Sequence, residues 1–259
     1  MSTILFHEIV FGPIHSRRLG SSLGMNLLPY DGKLCSFDCI YCECGYNKDF
    51  RTKTKLPSRD NVKAALEDKL IQLQKENTSI DVITFAGNGE PTMHPQFAGI
   101  IDDTIELRDK YFPDAKISVL SNAMHIGKES VFETLRKVDN NILKLDSALI
   151  DTVRLLDRPN SKEYSIDRQI ELFRKFEGNF IMQAMFVTGS HNGKRVDNTT
   201  EEEISAWFEV IKKTSPKEVM IYTIDRETPE KNLEKVSVEK LKEIAARVEE
   251  LGIKINVAG

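Results

Sequence analysis

Apolar residues recur along this chain with two different periods. Short runs that are apolar almost without interruption read as strands buried on both faces: Val82-Ile83-Thr84-Phe85-Ala86, Ile117-Ser118-Val119-Leu120, Ile142-Leu143-Lys144-Leu145, Phe180 to Val187, and Val219-Met220-Ile221-Tyr222. Longer amphipathic stretches separate them, near 96–111, 128–138, 165–176, 201–213 and 237–251. Upstream, Val62, Ala65, Leu66, Leu70, Ile71 and Leu73 have helical spacing, with Ser58 or Asp60 as the cap. Two glycine-rich passages, Gly12-Pro13 and Gly20-Ser21-Ser22-Leu23-Gly24, precede an apolar run from Met25 to Leu28 that reads as the first strand; Ile253 to Val257 reads as a short last one. Strands alternating with helix-length segments predict βαβ crossovers. The expected fold class is therefore α/β: an open, partial barrel of six βα units, a parallel sheet with helices outside, in a single domain spanning 1–259. In such a barrel the loops after the strands carry the chemistry.

Charge and composition narrow the partners. Against 36 basic residues stand 40 acidic ones, a net charge of -4, so no global field draws the chain to nucleic acid. That disfavours RNA as a substrate without removing a local patch: Lys48 to Lys55, with Phe50 inside, reads either as a solvated loop or as a nucleic-acid contact. Met1 to Glu8 has neither a basic start nor a long apolar run, and no uncharged apolar stretch is long enough for a bilayer. A cytoplasmic protein with no membrane partner is expected, where thiols stay reduced. The five histidines lack metal-ligand spacing, so no zinc site is expected, and no nucleophile elbow, Walker loop or dinucleotide-binding fingerprint occurs.

All four cysteines fall between Lys33 and Gly45. Cys35, Cys39 and Cys42 are separated by three and then two residues, a spacing that places three sulfurs around one 4Fe-4S cubane. Such a cluster ordinarily takes four protein ligands, so three leave one iron open to a small molecule. Tyr41, before the third cysteine, is placed to stack on a planar group.

The pattern of Cys35, Cys39, Tyr41 and Cys42 resembles the signature of the radical S-adenosylmethionine (SAM) superfamily. The resemblance implies that the open iron chelates the amino and carboxylate groups of SAM, that Tyr41 packs near the adenine, and that an external one-electron donor of flavodoxin or ferredoxin type is required. After the second strand stands Ala86-Gly87-Asn88-Gly89-Glu90-Pro91, similar to the Gly-Gly-Glu-Pro sequence whose backbone and glutamate bind the SAM amino group, with Asn88 in place of the first glycine. Physically, glycines at a strand end let backbone approach a ligand, and the acid can neutralise an ammonium. Ser121-Asn122 and Asp146 follow the next two strands, where the family contacts the SAM ribose or carboxylate; Asn122 equally suits a turn, and Asp146 a helix cap. Met185, Thr188, Tyr222 and Asp225 stand at later strand ends, either as substrate or adenine contacts or as packing.

Phe11 to Gly20, the cysteine loop, Phe85 to Pro95, Lys144-Leu145-Asp146 and Asp157-Arg158-Pro159 together resemble the branch of small stand-alone oxidoreductases related to the tRNA wyosine synthases. Those synthases use a second cysteine-bound cluster, for which this chain has no cysteines, so the substrate stays open among tRNA, a peptide or protein glycine, and a small metabolite. Arg17 and Arg18 suit either a phosphate or carboxylate at the barrel mouth or a surface ion-pair network. Cys44 is a bystander, an alternate ligand or a group acting on a substrate radical. A reading from another class makes Cys44 the fourth ligand of an iron-sulfur electron carrier or cluster-storage protein, which leaves the Asn88-Gly89-Glu90-Pro91 match without a role.

Overall fold

The structure, a computed structural model, describes residues 4–16, 19–49 and 52–258. Arg17, Arg18 and Phe50, singled out above, lie outside them. In chain order the elements are β1 (Val10–Ser16), β2 (Gly20–Met25), α1 (Arg59–Lys75), β3 (Val82–Phe85), α2 (Phe97–Tyr111), β4 (Lys116–Ser121), α3 (Glu129–Lys137), β5 (Asn140–Lys144), α4 (Ile150–Leu156), α5 (Ile166–Arg174), β6 (Ile181–His191), β7 (Lys194–Asp197), α6 (Glu201–Thr214), β8 (Glu218–Thr223), β9 (Leu233–Lys235), α7 (Val238–Glu249) and β10 (Lys254–Ala258).

Strands β2, β3, β4, β5, β6, β8 and β10 lie side by side in that order and are all parallel, joined by six helical crossovers. The sheet is a curled half-barrel, as the alternation of apolar runs predicts. Its helices start where hydroxyl caps are available: Ser58, Ser165, Thr200 and Ser237 each accept a backbone N–H of the first turn of α1, α5, α6 and α7. Alternate strand residues, among them Leu23, Ile83, Val119, Leu143, Met182, Ala184 and Ile221, pack outward on Leu66, Leu70, Ile101, Phe173, Trp207 and Leu241 of the helices in one continuous core.

The other strand face lines the bore and is layered. Near the amino ends of the strands, Ser22 bonds Thr84 (2.8 Å) and Asn140 bonds Ser118 (2.9 Å). Above them Leu120, Ile142, Ile181 and Met220 form an apolar floor. Lys144 and Gln183 are paired in register, and Gln183 pairs in turn with Met220.

Three expectations need correction. The first barrel strand is Gly20–Met25, not Met25 to Leu28, and it pairs antiparallel with β1, which the sequence did not suggest. The glycine-rich passage is strand because Phe11 of β1 packs over Gly24, where any Cβ would overlap the phenyl ring. A short helix, α4, follows β5 directly, and the end of β6 runs on past the barrel to pair antiparallel with β7 and β9. Among the described residues no helix is long and apolar enough to cross a membrane.

Candidate functional site

The cysteine loop follows β2 and lies across the carboxyl ends of the strands, held from two sides. On one side Leu34 N–H donates to Asn88 O (2.9 Å) and Glu90 N–H donates to Leu34 O (3.1 Å), so the loop and the turn after β3 form a parallel bridge. On the other, Asp38 N–H donates to Asp157 O (3.0 Å), Ile40 N–H to Leu156 O (3.0 Å) and Asn160 N–H to Ser36 O (2.9 Å), which ties the loop to the end of α4. Asn47 closes it from below: its amide accepts from Cys35 N–H and donates to the carbonyls of Cys35 and Phe37. The backbone of the loop is thus paired at intervals, as a loop must be whose carbonyls and amides lie away from water.

Cys35, Cys39 and Cys42 are partly exposed, whereas Cys44 is buried. Each sulfur has its own polar neighbour. Cys35 Sγ accepts from Phe37 N–H (3.4 Å) and the Asn122 amide (3.5 Å). Cys39 Sγ accepts from Lys144 Nζ (3.1 Å). The Cys44 thiol donates to Gly87 O (3.5 Å), close to Cys42. Among the described residues no group of three or more Cys, His, Asp or Glu side chains gathers closely enough for a single metal ion.

Charge in the loop follows from these contacts. Burial pushes the Cys35 thiol up to about 12, with the Glu90 carboxylate adding to it, and burial raises Cys39 as well against the pull of Lys144. Cys42 is lowered instead, because hydrogen bonds from Cys44 and the Lys33 ammonium outweigh its burial, and Cys44 is raised in turn. Lys33 lies under the loop with 4% exposure, donating to Gly45 O (2.8 Å) with Asp38 at 3.5 Å. Burial alone would lower its pKa, but Cys42, Cys39 and Cys35 hold it above the usual lysine value.

Glu90 sits beside the loop with 2% exposure. Its carboxylate accepts from Thr92 N–H (3.2 Å), the Thr92 hydroxyl, Ser121 Oγ (2.9 Å) and Asn122 N–H (2.7 Å). Burial raises its pKa, and these donors oppose the rise. Asn122 fits its turn reading: its Oδ1 accepts from Met124 N–H (3.0 Å), while its amide reaches Ser36 and Cys35. Gly87 packs against Asn26, leaving no room for a Cβ. The Asn88 side chain points away from the loop: it accepts from Phe6 N–H (2.8 Å) and donates to Phe6 O (2.8 Å) and Pro29 O (2.9 Å).

Asp146 is no helix cap. It accepts from Met185 N–H (3.0 Å) and from the Tyr41 hydroxyl, and lies 3.2 Å from Lys144 Nζ. Tyr41 itself is 8% exposed and packs with Ile40, Leu156, Met185 and Val187. Tyr222 joins the edge of that cluster, and Thr188 lies instead on an open groove of about 810 Å³ between β6, β7 and β9. Asp225 is exposed, 3.3 Å from Lys235. In the basic run, Lys48 lies over the Tyr46 ring, while the backbone of Lys53 and Thr54 is bound by Asp31.

Sequence reasoning missed Lys33, Asn47 and the roles of Lys144 and Asp157. Lys144 had a signal, since a charge inside the apolar run Ile142-Leu143-Lys144-Leu145 implies a buried partner. Burial would lower this ammonium, but Asp146, Asp157 and Cys39 hold it well above its usual value; burial also raises Asp157.

A family model described as the radical SAM superfamily matches residues 31–189. The UPF0026 protein MJ1312 of Methanocaldococcus jannaschii is 31% identical over 249 residues, covering 94% of this chain and 72% of that protein. A Brachyspira hyodysenteriae protein named GTPase Obg is 31% identical over 240 residues, 90% of this chain and 32% of that much longer protein. Among solved structures, SuiB of Streptococcus suis bound to S-adenosylmethionine superposes with a TM-score of 0.63 at 16% identity, over 90% of this chain and 51% of SuiB. TYW1 with a lysine-pyruvate adduct superposes with a TM-score of 0.59 at 14% identity, over 88% and 73%. These last two show a shared fold.

Proposed function

The chain belongs to the radical SAM superfamily and is an enzyme of that family, and on that premise we propose that Cys35, Cys39 and Cys42 hold a 4Fe-4S cluster whose fourth iron binds S-adenosylmethionine. The donor set supports this: three partly exposed thiols stand on one loop, and thiolates are the ligands that hold such clusters. When bound, the two groups supply reductive cleavage of SAM to methionine and a 5′-deoxyadenosyl radical that abstracts hydrogen from the substrate. The observation that carries the reading is the bridge between Leu34 and Gly89, which sets the turn of Glu90 directly against the cysteine loop.

In this proposal the chain's own residues orient and shield. Glu90, already aligned by Ser121 and Asn122, keeps one lone pair on Oε2, which accepts only from Asn122 N–H, for the SAM ammonium. The backbone at Gly87, Asn88 and Gly89 walls the amino-acid end, and Ser121, Asn122, Tyr41 and Asp146 line the remainder of the cofactor's seat. Substrate enters above the apolar floor of the bore, beside Met185 and Tyr222. One external one-electron donor of flavodoxin or ferredoxin type supplies the electron, and residues 1–259 act as one domain. Anaerobic reconstitution followed by reduction with SAM is expected to yield 5′-deoxyadenosine; a fully loaded cluster that forms none overturns the reading.

A further inference from the structure

Lys144 is a cation at the carboxyl end of β5, next to a sulfur. Its Nζ lies 3.1 Å from Cys39 Sγ and 3.2 Å from Asp146 Oδ2, and it is hydrogen-bonded to Asp157. A lysine ammonium has three protons and no acceptor; its two hydrogen bonds, to Cys39 and Asp157, and its ion pair with Asp146 fix its direction. The partners are themselves fixed. Asp146 is held by Tyr41 and Met185 N–H, and the backbone of Asp157 binds Asp38, one residue before Cys39. The rings of Phe37 and Tyr41 flank the ammonium at 5.2 and 5.0 Å and keep it from water.

Stability alone does not call for this arrangement. Removing a cation and two carboxylates from water costs several kcal/mol per ion, about as much as their attraction returns, and an apolar residue would continue the pattern of Ile142, Leu143 and Leu145. What an apolar residue would not supply is a fixed positive charge hydrogen-bonded to a ligand sulfur. Hydrogen bonds to cluster sulfurs are among the levers that set the potential of iron-sulfur centres.

Resting on the cluster assignment made above, we propose that Lys144 is a positioning residue that raises the reduction potential of the cluster through its hydrogen bond to Cys39, with Asp146 and Asp157 aiming it. One electron enters from the external donor, which is oxidised by one electron. The cluster gains one negative charge, and Lys144, protonated before and after, stabilises that charge without transferring a proton.

The test is a redox titration of the reconstituted protein followed by electron paramagnetic resonance, without SAM or turnover. Lys144→Met alone leaves two carboxylates facing each other, so the informative variant is Lys144→Met/Asp157→Asn, which removes one charge of each sign. Its iron content is expected to match that of Asp157→Asn, which keeps the lysine, with the reduction equilibrium about tenfold less favourable than in that single variant, ~59 mV for one electron. Lys144→Arg is expected to restore most of the shift. An unchanged potential at full iron content overturns the inference while leaving the cluster assignment intact. Loss of the cluster in the variant also overturns it, by making Lys144 a loop-folding residue. A parent protein that takes up no cluster removes the assignment and the inference together.

Discussion

Gly89 lies directly beneath Leu34: the two residues form a parallel bridge, and a Cβ at Gly89, whose φ is +139°, would fall on the Leu34 carbonyl. This glycine is required by the cysteine loop as much as by any ligand.

Gly89→Ala is therefore expected to cost at least about 2 kcal/mol, from the disallowed φ together with the overlap. Because the strain lands on the residue before Cys35, iron uptake should fall with it. Urea unfolding and iron content on one preparation check both; a stable variant with a full cluster would show that the bridge is dispensable.

Asn88 stands where the family pattern has glycine, and its amide is spent on Phe6 and Pro29. Asn88→Gly is expected to lose about 3 kcal/mol, since buried groups of both partners lose their hydrogen bonds. The rate of SAM cleavage per loaded cluster should change little. A large loss of SAM affinity at unchanged stability would instead make Asn88 a cofactor contact.

Cys44 donates its thiol to Gly87 O inside the protein. Replacing it with alanine is expected to leave the iron-to-protein ratio and 5′-deoxyadenosine yield near those of the parent, at a cost of about 1 kcal/mol. Were the cluster lost, Cys44 would be a fourth ligand and an electron-carrier reading would gain.

His94 closes the turn that begins at Glu90. Its Nε2 bonds Pro57 O (2.8 Å) and its Nδ1 accepts from Gln96 N–H (3.1 Å), an arrangement that needs the neutral ring. Burial lowers its pKa below the ordinary 6.5, the Pro57 carbonyl opposing. The unfolded chain thus takes up the proton first as pH falls. The contribution of His94 is complete above pH 6.5 and is lost as pH falls from there through the lower folded value. Unfolding free energies at pH 7.5 and 5 should drop more in the parent than in His94→Gln, which starts about 1 kcal/mol lower. Equal drops would exclude His94 as the source.

By itself, the sequence determined the parallel half-barrel and pointed to the superfamily. Strands buried on both faces must be apolar throughout, helices outside must be apolar on one side, and the cysteines of the family signature must be close in the chain to share one loop. Those demands are local, so Val82 to Phe85, Ile117 to Leu120 and Cys35 to Cys42 carry them visibly. The tertiary structure decided what pairs with what. Leu34 meets Gly89, Asp38 meets Asp157, Tyr41 meets Asp146 and Lys144 meets Cys39, all across distances along the chain that no periodicity records. It also turned a glycine-rich passage into strand, because only glycine admits Phe11 over position 24. Hydrogen bonds and buried charges act through space, and their partners are known only once the strands that carry them lie side by side.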